Sequence, residues 1–319
     1  MNRRSSLKKI AAVTALGLVG GEIQAAQTPK RFTLPPQPPR GPMPLYFFTK
    51  ALQWLPLEDV ARATMDMGFT GVDLPVRSNG FFDITEMASK LPPVIRECTN
   101  LGMEMPVLTT EMTLSKLPEW EGFLQVLSGE GIKHYRMGWM PFPSKNILPE
   151  LRLLNGQMKL VADMHAKYGV CGHYQNHAGT RIGGSVWELH HLLEGIDPDH
   201  IGVQFDLRHA VVEGYQSHET VFYLIADKIR SFDMKDFVWG KNPKGKGDVP
   251  VNVLLGEGNV NFELLLEHPK FKDMSMPKII HAEYDLGGAE HGRKDPTMEP
   301  SQILLTIARD VVAYGKLMG

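Results

Sequence analysis

The 319-residue sequence has two cysteines, Cys98 and Cys171, too few for a disulfide framework or a four-thiolate metal site. It lacks any apolar run of the roughly 18 residues that a membrane span needs. It also lacks a charge bias: 34 Lys and Arg stand against 36 Asp and Glu, a net charge of −2. With no long basic block, nucleic acid is excluded as the main partner. No G-x-G-x-x-G follows the first apolar run, and there is no internal repeat or low-complexity tract. What is present is a globular balance, 43% hydrophobic and 22% charged. The length suits one α/β barrel of roughly 250 residues or two ordinary domains.

Residues 1–26 read as an export signal. Arg3, Arg4, Lys8 and Lys9 precede a short apolar run, Ala11 to Gly20, and Ala25 and Ala26 offer a small-residue cleavage site. Arg3-Arg4 followed by Leu7-Lys8 resembles a twin-arginine signal with Ser6 at the usual Phe position, which predicts a periplasmic protein. An ordinary secretory signal is the alternative. Residues 27–44 carry Pro29, Pro35, Pro36, Pro38, Pro39, Pro42 and Pro44, a density that forbids helix and predicts a linker.

Beyond residue 44 a rhythm begins. Short apolar runs at Leu45–Thr49, Gly71–Pro75, Met105–Leu108, His134–Met137, Gly169–His177, Ile201–Leu207, Ile229–Met234 and Ile279–Tyr284 have strand character. Between them lie amphipathic helical spacings, clearest in residues 57–67, 147–168 and 301–316. Eight strands alternating with helices predict a parallel sheet, and the count favours an α/β fold of the (β/α)8 TIM-barrel kind, one domain over residues 45–319. Gly240–Gly247 reads as a loop after the seventh strand, with its lysines in solvent or meeting an anion. Gly287–Gly292 reads as a mobile loop over the site, with Glu290 and His291 as minor contributors.

In such barrels chemistry sits at the C-terminal ends of the strands. Here the fifth strand ends His173-Tyr174-Gln175-Asn176-His177, the sixth Gln204-Phe205-Asp206-Leu207-Arg208-His209, the seventh Asp233-Met234-Lys235-Asp236 and the eighth His281-Ala282-Glu283. Strand alternation puts His173, Gln175 and His177 on one face. Carboxylates converging inside a barrel repel one another and lose hydration, a conflict that a divalent cation resolves. Gln175, Asp206, Asp233 and Glu283 form the expected oxygen set for one such ion.

These motifs resemble those of the sugar-phosphate isomerase/epimerase family, the xylose-isomerase-like barrels. The resemblance rests on Tyr174-Gln175-Asn176-His177, the Asp206-x-x-His209 pair, Asp233-Met234-Lys235-Asp236, the Gly256-Glu257-Gly258 turn and Glu283. It implies one divalent metal held by residues of strands five to eight, Mn²⁺ favoured, with Mg²⁺, Co²⁺ or Zn²⁺ as the other candidates. Two positions depart from the family's ketose epimerases, which have Glu where this chain has Gln175 and His where it has Asp233. Gln175 cannot take up a proton, so a two-carboxylate epimerisation requires a histidine in its place.

The expected chemistry is proton abstraction next to a sugar carbonyl, an isomerase or epimerase activity. The base is drawn from His177, ranked first, His209, His281 and Glu283. Arg136, His173, Arg208, His209, Lys235, His281 and Trp239 are expected to contact substrate, and Tyr46, Phe48 and Trp139 to stack on sugar rings. The expected partner is a small carbohydrate, a keto-sugar or keto-glycoside. Elimination of the aglycone from a 3-keto-glycoside by a lyase, and a non-catalytic sugar-binding barrel, are the alternatives.

Overall fold

The computed structural model describes residues 43–319; the expected export signal (1–26) and all but the end of the proline-rich linker (27–44) lie outside the described residues. Ten strands occur among these: β1 (Tyr46–Phe48), β2 (Gly71–Val76), β3 (Glu104–Thr110), β4 (His134–Arg136), β5 (Cys171–Gln175), β6 (Ile201–Asp206), β7 (Ile229–Met234), β8 (Asp236–Lys241), β9 (Asp248–Val253) and β10 (Lys278–Ile280). β1 to β7 and β10 close a barrel of parallel strands, with β10 between β7 and β1. The eight expected strands are those eight staves, and the fold is the expected (β/α)8 barrel. Among the described residues no helix is long and apolar enough to cross a membrane.

The helices follow from the expected patterns. Residues 147–168 form α4 (Ile147–Tyr168), which buries Leu151, Leu154, Met158, Val161 and Ala162 on one face. It stops at Gly169, whose left-handed φ of 65° is open to glycine without a Cβ penalty. The main apolar core lies between the outer face of the barrel, with Phe47, Leu74, Tyr174, Phe205 and Phe232, and the surrounding helices. Inside the barrel the apolar contribution is a separate cluster of Tyr46, Phe48, Val107 and Ile279. The rest of the interior is polar, with Asp73, Thr109, Arg136, His173, Gln175, Gln204, Asp206, Ser231, Asp233 and His281 all buried.

Two loops differ from expectation. Gly240–Gly247 is not one loop: β8 and β9 pair as an antiparallel hairpin from Asp236↔Val253 to Lys241↔Asp248, and residues 242–247 turn it. Residues 287–292 are packed down rather than mobile. Buried Glu290 accepts the N–H groups of Leu286 and Gly288 at 2.9 Å each, and a Cβ on Gly292 would meet Gln53 Oε1 at 2.7 Å. His291 points to solvent. The Gly256-Glu257-Gly258 turn is held by Asp236, whose carboxylate accepts backbone N–H groups from Phe237, Gly256, Gly258 and Val260 at 2.8–3.1 Å. Gly258 is required there because a Cβ would lie 2.2 Å from Asp236 Oδ1.

Helix α10 (Pro300–Leu317) carries buried Asp310, which accepts the Leu255 N–H at 2.9 Å and the Tyr284 hydroxyl at 2.7 Å. Burial raises its pKa to about 7. A carboxyl whose folded pKa lies above its unfolded value binds more protons when folded, so this group's contribution to stability falls as pH rises from about 4 to 7. The slope is at most about 1.4 kcal/mol per pH unit. Asp310→Asn keeps an acceptor for Leu255 and offers a donor to Tyr284. The difference in unfolding free energy between wild type and this variant, measured by denaturant titration at pH 4.5 and 7.5, should move in the variant's favour at the higher pH.

Candidate active site

The C-terminal ends of β5, β6 and β7 lie side by side, with Gln175 opposite Gln204 and Asp206 opposite Asp233 in register. Asp206 ends β6 and caps α6 (Leu207–Gly214): its Oδ1 accepts the His209 N–H at 3.0 Å. That is the physical content of the Asp-x-x-His spacing. Asn176 fastens β5 to β6 by donating to Asp206 O at 2.9 Å and accepting the Asp206 N–H at 2.8 Å.

Gln175 is fixed by a neighbour. Arg136 Nη1 lies 2.9 Å from Gln175 Oε1, and because a guanidinium can only donate, the amide oxygen must face it. The amide nitrogen therefore turns to the acids, donating to Asp206 Oδ2 at 3.2 Å and to Asp233 Oδ2. Asp233 Oδ1 accepts from Gln204 Nε2 at 2.5 Å and lies 3.0 Å from His281 Nε2. Burial alone would lower the His281 pKa, but Asp233 outweighs it and the imidazolium is favoured; His281 in turn holds Asp233 ionised against its burial.

Lys235 is the centre of the group. Its ammonium lies 3.0 Å from Asp206 Oδ2, 3.3 Å from Glu283 Oε2 and 3.1 Å from His209 Nε2, and it is buried. Burial opposes the charge, yet Asp206, Glu283 and Asp233 outweigh it and raise the pKa. Glu283 would be raised by burial, but Lys235 and then Lys50, whose Nζ is 3.6 Å from Oε1, hold it well below the usual carboxylate range. Burial leaves Asp206 above its ordinary range despite Lys235.

Around this lattice stand two neutral imidazoles. Burial and then Lys235 push His177 to about 4 and His209 well below its ordinary value. Their rings stack 3.9 Å apart, and Trp139 lies on the other ring contact of His177 at 4.3 Å. His177 Nδ1 sits 2.9 Å from the Ala178 carbonyl, which requires the proton on Nδ1 and leaves the Nε2 lone pair free. Arg208 reaches His209 Nδ1 at 3.0 Å and Asn252 at 2.7 Å.

Of the expected residues, the structure brings together Gln175, Asp206, Asp233, Glu283, His177, His209, His281, Arg136, Arg208 and Lys235. Two expected substrate contacts stand elsewhere. His173 shares the inward face with Gln175 but lies deeper, bonded to His134 at 3.1 Å and Ser231 at 2.9 Å. Trp239 sits on the β8–β9 hairpin, exposed and edge-on to Phe237. Asp73 and Gln204 were not anticipated, nor was Lys50. Both of the first two interrupt apolar strands at inward alternating positions, a signal the sequence does contain.

A divalent ion does not fit these residues as they are arranged. All six oxygens of Asp206, Asp233 and Glu283 already face nitrogen donors: the His209 N–H, Gln175, Gln204, His281, Lys50 and Lys235. The Gln175 amide oxygen is turned away from them, and the Lys235 ammonium lies between Asp206 and Glu283. Among the described residues, the His, Cys, Asp and Glu side chains with ligand atoms all within 4.8 Å of one another are His134, Cys171 and His173, at the other end of the barrel. There burial pushes the Cys171 thiol up to about 12.

Residues 141–299 match the family model described as xylose isomerase-like TIM barrel. That span holds Asp206, Asp233 and Glu283 together with Lys235. No curated protein matches the sequence. Among solved structures, the chain is similar to a 3-keto-D-glucoside 4-epimerase from E. coli, at 12% identity over 86% of this chain and 99% of that one, TM-score 0.60. It is similar to a probable 3-DHS dehydratase involved in petrobactin synthesis from Bacillus anthracis, at 12% identity over 85% and 98%, TM-score 0.62. It also resembles a xylose isomerase-like TIM barrel protein from Mycobacterium smegmatis in complex with magnesium, at 13% identity over 84% and 98%, TM-score 0.57. At these identities the likeness establishes the fold.

Removing the ammonium should expose what it neutralises. Lys235→Ala leaves buried Asp206 without its ammonium partner and Glu283 with Lys50 alone of its two, and should cost about 3–5 kcal/mol of stability. It should also open room for a cation. After equilibration with Mn²⁺ and desalting, elemental analysis should find more metal on this variant than on wild type; equal loading of the two would show that Lys235 does not hold the cation position.

Proposed function

We propose that this protein acts on a carbohydrate carbonyl compound and removes a proton from the carbon next to the carbonyl, as isomerases and epimerases do. The observation that carries the reading is a buried ammonium, Lys235, fixed beside a stacked pair of neutral histidines at the mouth of a xylose isomerase-like barrel. The sugar epimerase among its structural neighbours supports the substrate class.

The carbonyl oxygen sits against Lys235. As the neighbouring C–H bond breaks, its electrons form the carbon–carbon double bond of an enediolate, and the charge gathering on oxygen is met by a fixed ammonium that needs no reorganisation. His177 Nε2 takes the proton, since Nδ1 is committed to Ala178. Arg208 and His209 hold sugar hydroxyls. Return of the proton to the former carbonyl carbon, with the neighbouring hydroxyl passing its own proton to the former carbonyl oxygen, completes an isomerisation. Expulsion of a substituent one carbon further on gives elimination, the lyase outcome. Gln175 takes no proton in either; it orders Asp206 and Asp233 beneath the substrate.

The reading is tested in D₂O with free ketoses and 3-keto-glucosides, following deuterium entry next to the carbonyl by NMR. Exchange is expected with at least one class, and His177→Gln should slow it by at least about 100-fold. Release of the aglycone assigns the lyase branch. Absence of exchange across the panel defeats catalysis and leaves a sugar-binding barrel.

A further inference from the structure

We propose that Lys50, Arg77 and Arg136 form an anion subsite at the barrel mouth, and that the sugar this site takes carries a carboxylate. The proposal rests on the carbohydrate reading above and narrows its substrate to acidic sugars.

Three cations from three separate segments gather on one ring. Lys50 follows β1, Arg77 follows β2 and Arg136 ends β4. Their charged heads lie 5.8, 5.6 and 5.5 Å from the centroid of Phe48. Like charges this close repel unless something negative joins them. The protein's own anions do not complete the set. Lys50 meets Glu283, but Glu283 is shared with Lys235. Arg136 spends one nitrogen on the neutral Gln175 amide. The Arg77 guanidinium has no hydrogen bond or ion pair among the described residues, and the buried Nε groups of Arg77 and Arg136 have no acceptor. Arg136 is 3% exposed, so water does not serve it freely.

Arg77 faces Asp73, Glu111 and Glu283, and Arg136 faces Asp73, Asp233, Glu283 and Asp206, of which Asp233 lies against His281 and Asp206 against Lys235. Glu111 is occupied by Lys116 and by the Ser78 hydroxyl at 2.9 Å each. Asp73 lies beneath, accepting from Thr109 at 2.8 Å, with no ion pair to either arginine. Burial, then Arg136, depresses Arg77 to about 10, which records the same crowding. Three cations against Asp73 and a share of Glu283 leave roughly one to two positive charges uncompensated, enough to take up a monoanion. Guanidinium forks with free N–H groups suit the planar oxygens of a carboxylate.

The layout also fits the reaction. Cations occupy the β1–β4 half of the mouth, while Glu283, Asp206 and Lys235 occupy the β6–β10 half, and Lys50 bridges to Glu283. A sugar lying across the mouth would present its acid group to one half and its carbonyl to the other.

The test is calorimetric titration of wild-type protein with matched acid and neutral sugars: 2-keto-D-gluconate against D-fructose, D-glucuronate against D-glucose and D-galacturonate against D-galactose, with fructose 6-phosphate as the phosphate arm. In at least one pair the acid should bind about tenfold or more tightly than its neutral twin. Arg77→Gln should abolish that preference and leave the neutral sugar's affinity unchanged. Lys50→Gln, on a different segment, should weaken the preference and serves if the first variant does not fold. Equal affinity within every pair, no binding of any acid, or a preference that survives both substitutions overturns the subsite. Tighter binding of the phosphate ester than of every acid overturns the carboxylate assignment. Acid preference without deuterium exchange keeps the subsite and removes the catalytic reading; exchange on neutral sugars with no acid preference does the opposite.

Discussion

The structure depends on charge pairing inside a barrel that excludes water. An ionised side chain taken out of water loses several kcal/mol of hydration, and only close counter-charges with good geometry restore it. This barrel fills its upper layers with acids and amides, and the positions of Gln175, Asp206, Asp233 and Glu283 are set by the cations beside them. Lys235 touches Asp206 and Glu283, His281 touches Asp233 and approaches Glu283, and Gln175 links Asp206 to Asp233. All of these except the approach of His281 to Glu283 join different strands or segments. The lattice therefore ties β5, β6, β7 and the segment after β10 into one unit, and strand register is fixed by polar contacts as well as by the apolar shell outside.

The same lattice shows why function and fold share residues here. Asp206 neutralises Lys235 with one oxygen and caps α6 with the other, so the helix begins where the site needs a backbone N–H to point. Asn176, between Gln175 and His177 on the chain, does no chemistry; its amide closes the seam between two strands and so places the residues on either side of it. Asp236, next to Lys235, faces away from the site and organises the turn at residues 256–260 through four backbone N–H groups. Adjacent residues in these motifs serve opposite faces of the barrel wall, as strand alternation demands.

That alternation also marks what the sequence can and cannot convey. The eight apolar runs, the helical spacings between them and the polar residues at four strand ends are enough to read a closed barrel and to gather Gln175, Asp206, Asp233 and Glu283 in one place. Alternation gives face but not depth, which is why His173 reads as a neighbour of substrate and lies a layer below it. Composition gives charge but not partner. Converging carboxylates call for a cation, and the sequence does not say whether that cation is an ion or a lysine two residues along the chain from Asp233. The orientation of the Gln175 amide depends on Arg136, one strand and 39 positions away, and no local pattern announces it. Asp73 and Gln204 were legible as inward polar breaks in apolar strands, yet a single polar residue in a strand carries little weight until its opposite partner is known.

The division of the mouth into a cationic half and a half where acids and cations are paired has a consequence for the acid–base chemistry. Glu283 is held below its usual range chiefly by two ammonium groups, Lys235 within the site and Lys50 at its rim. A negative group that draws Lys50 toward Arg77 and Arg136 removes one of those two restraints. The carboxylate, less neutralised, then raises the basicity of His177, the group that takes the proton, while Lys235 stays in place against Asp206. Binding energy from a remote part of the substrate would in this way be expressed at the reacting carbon. A neutral sugar of the same shape leaves Lys50 on Glu283 and makes no such change, so the discrimination expected in binding should be larger in the rate of proton removal than in affinity alone.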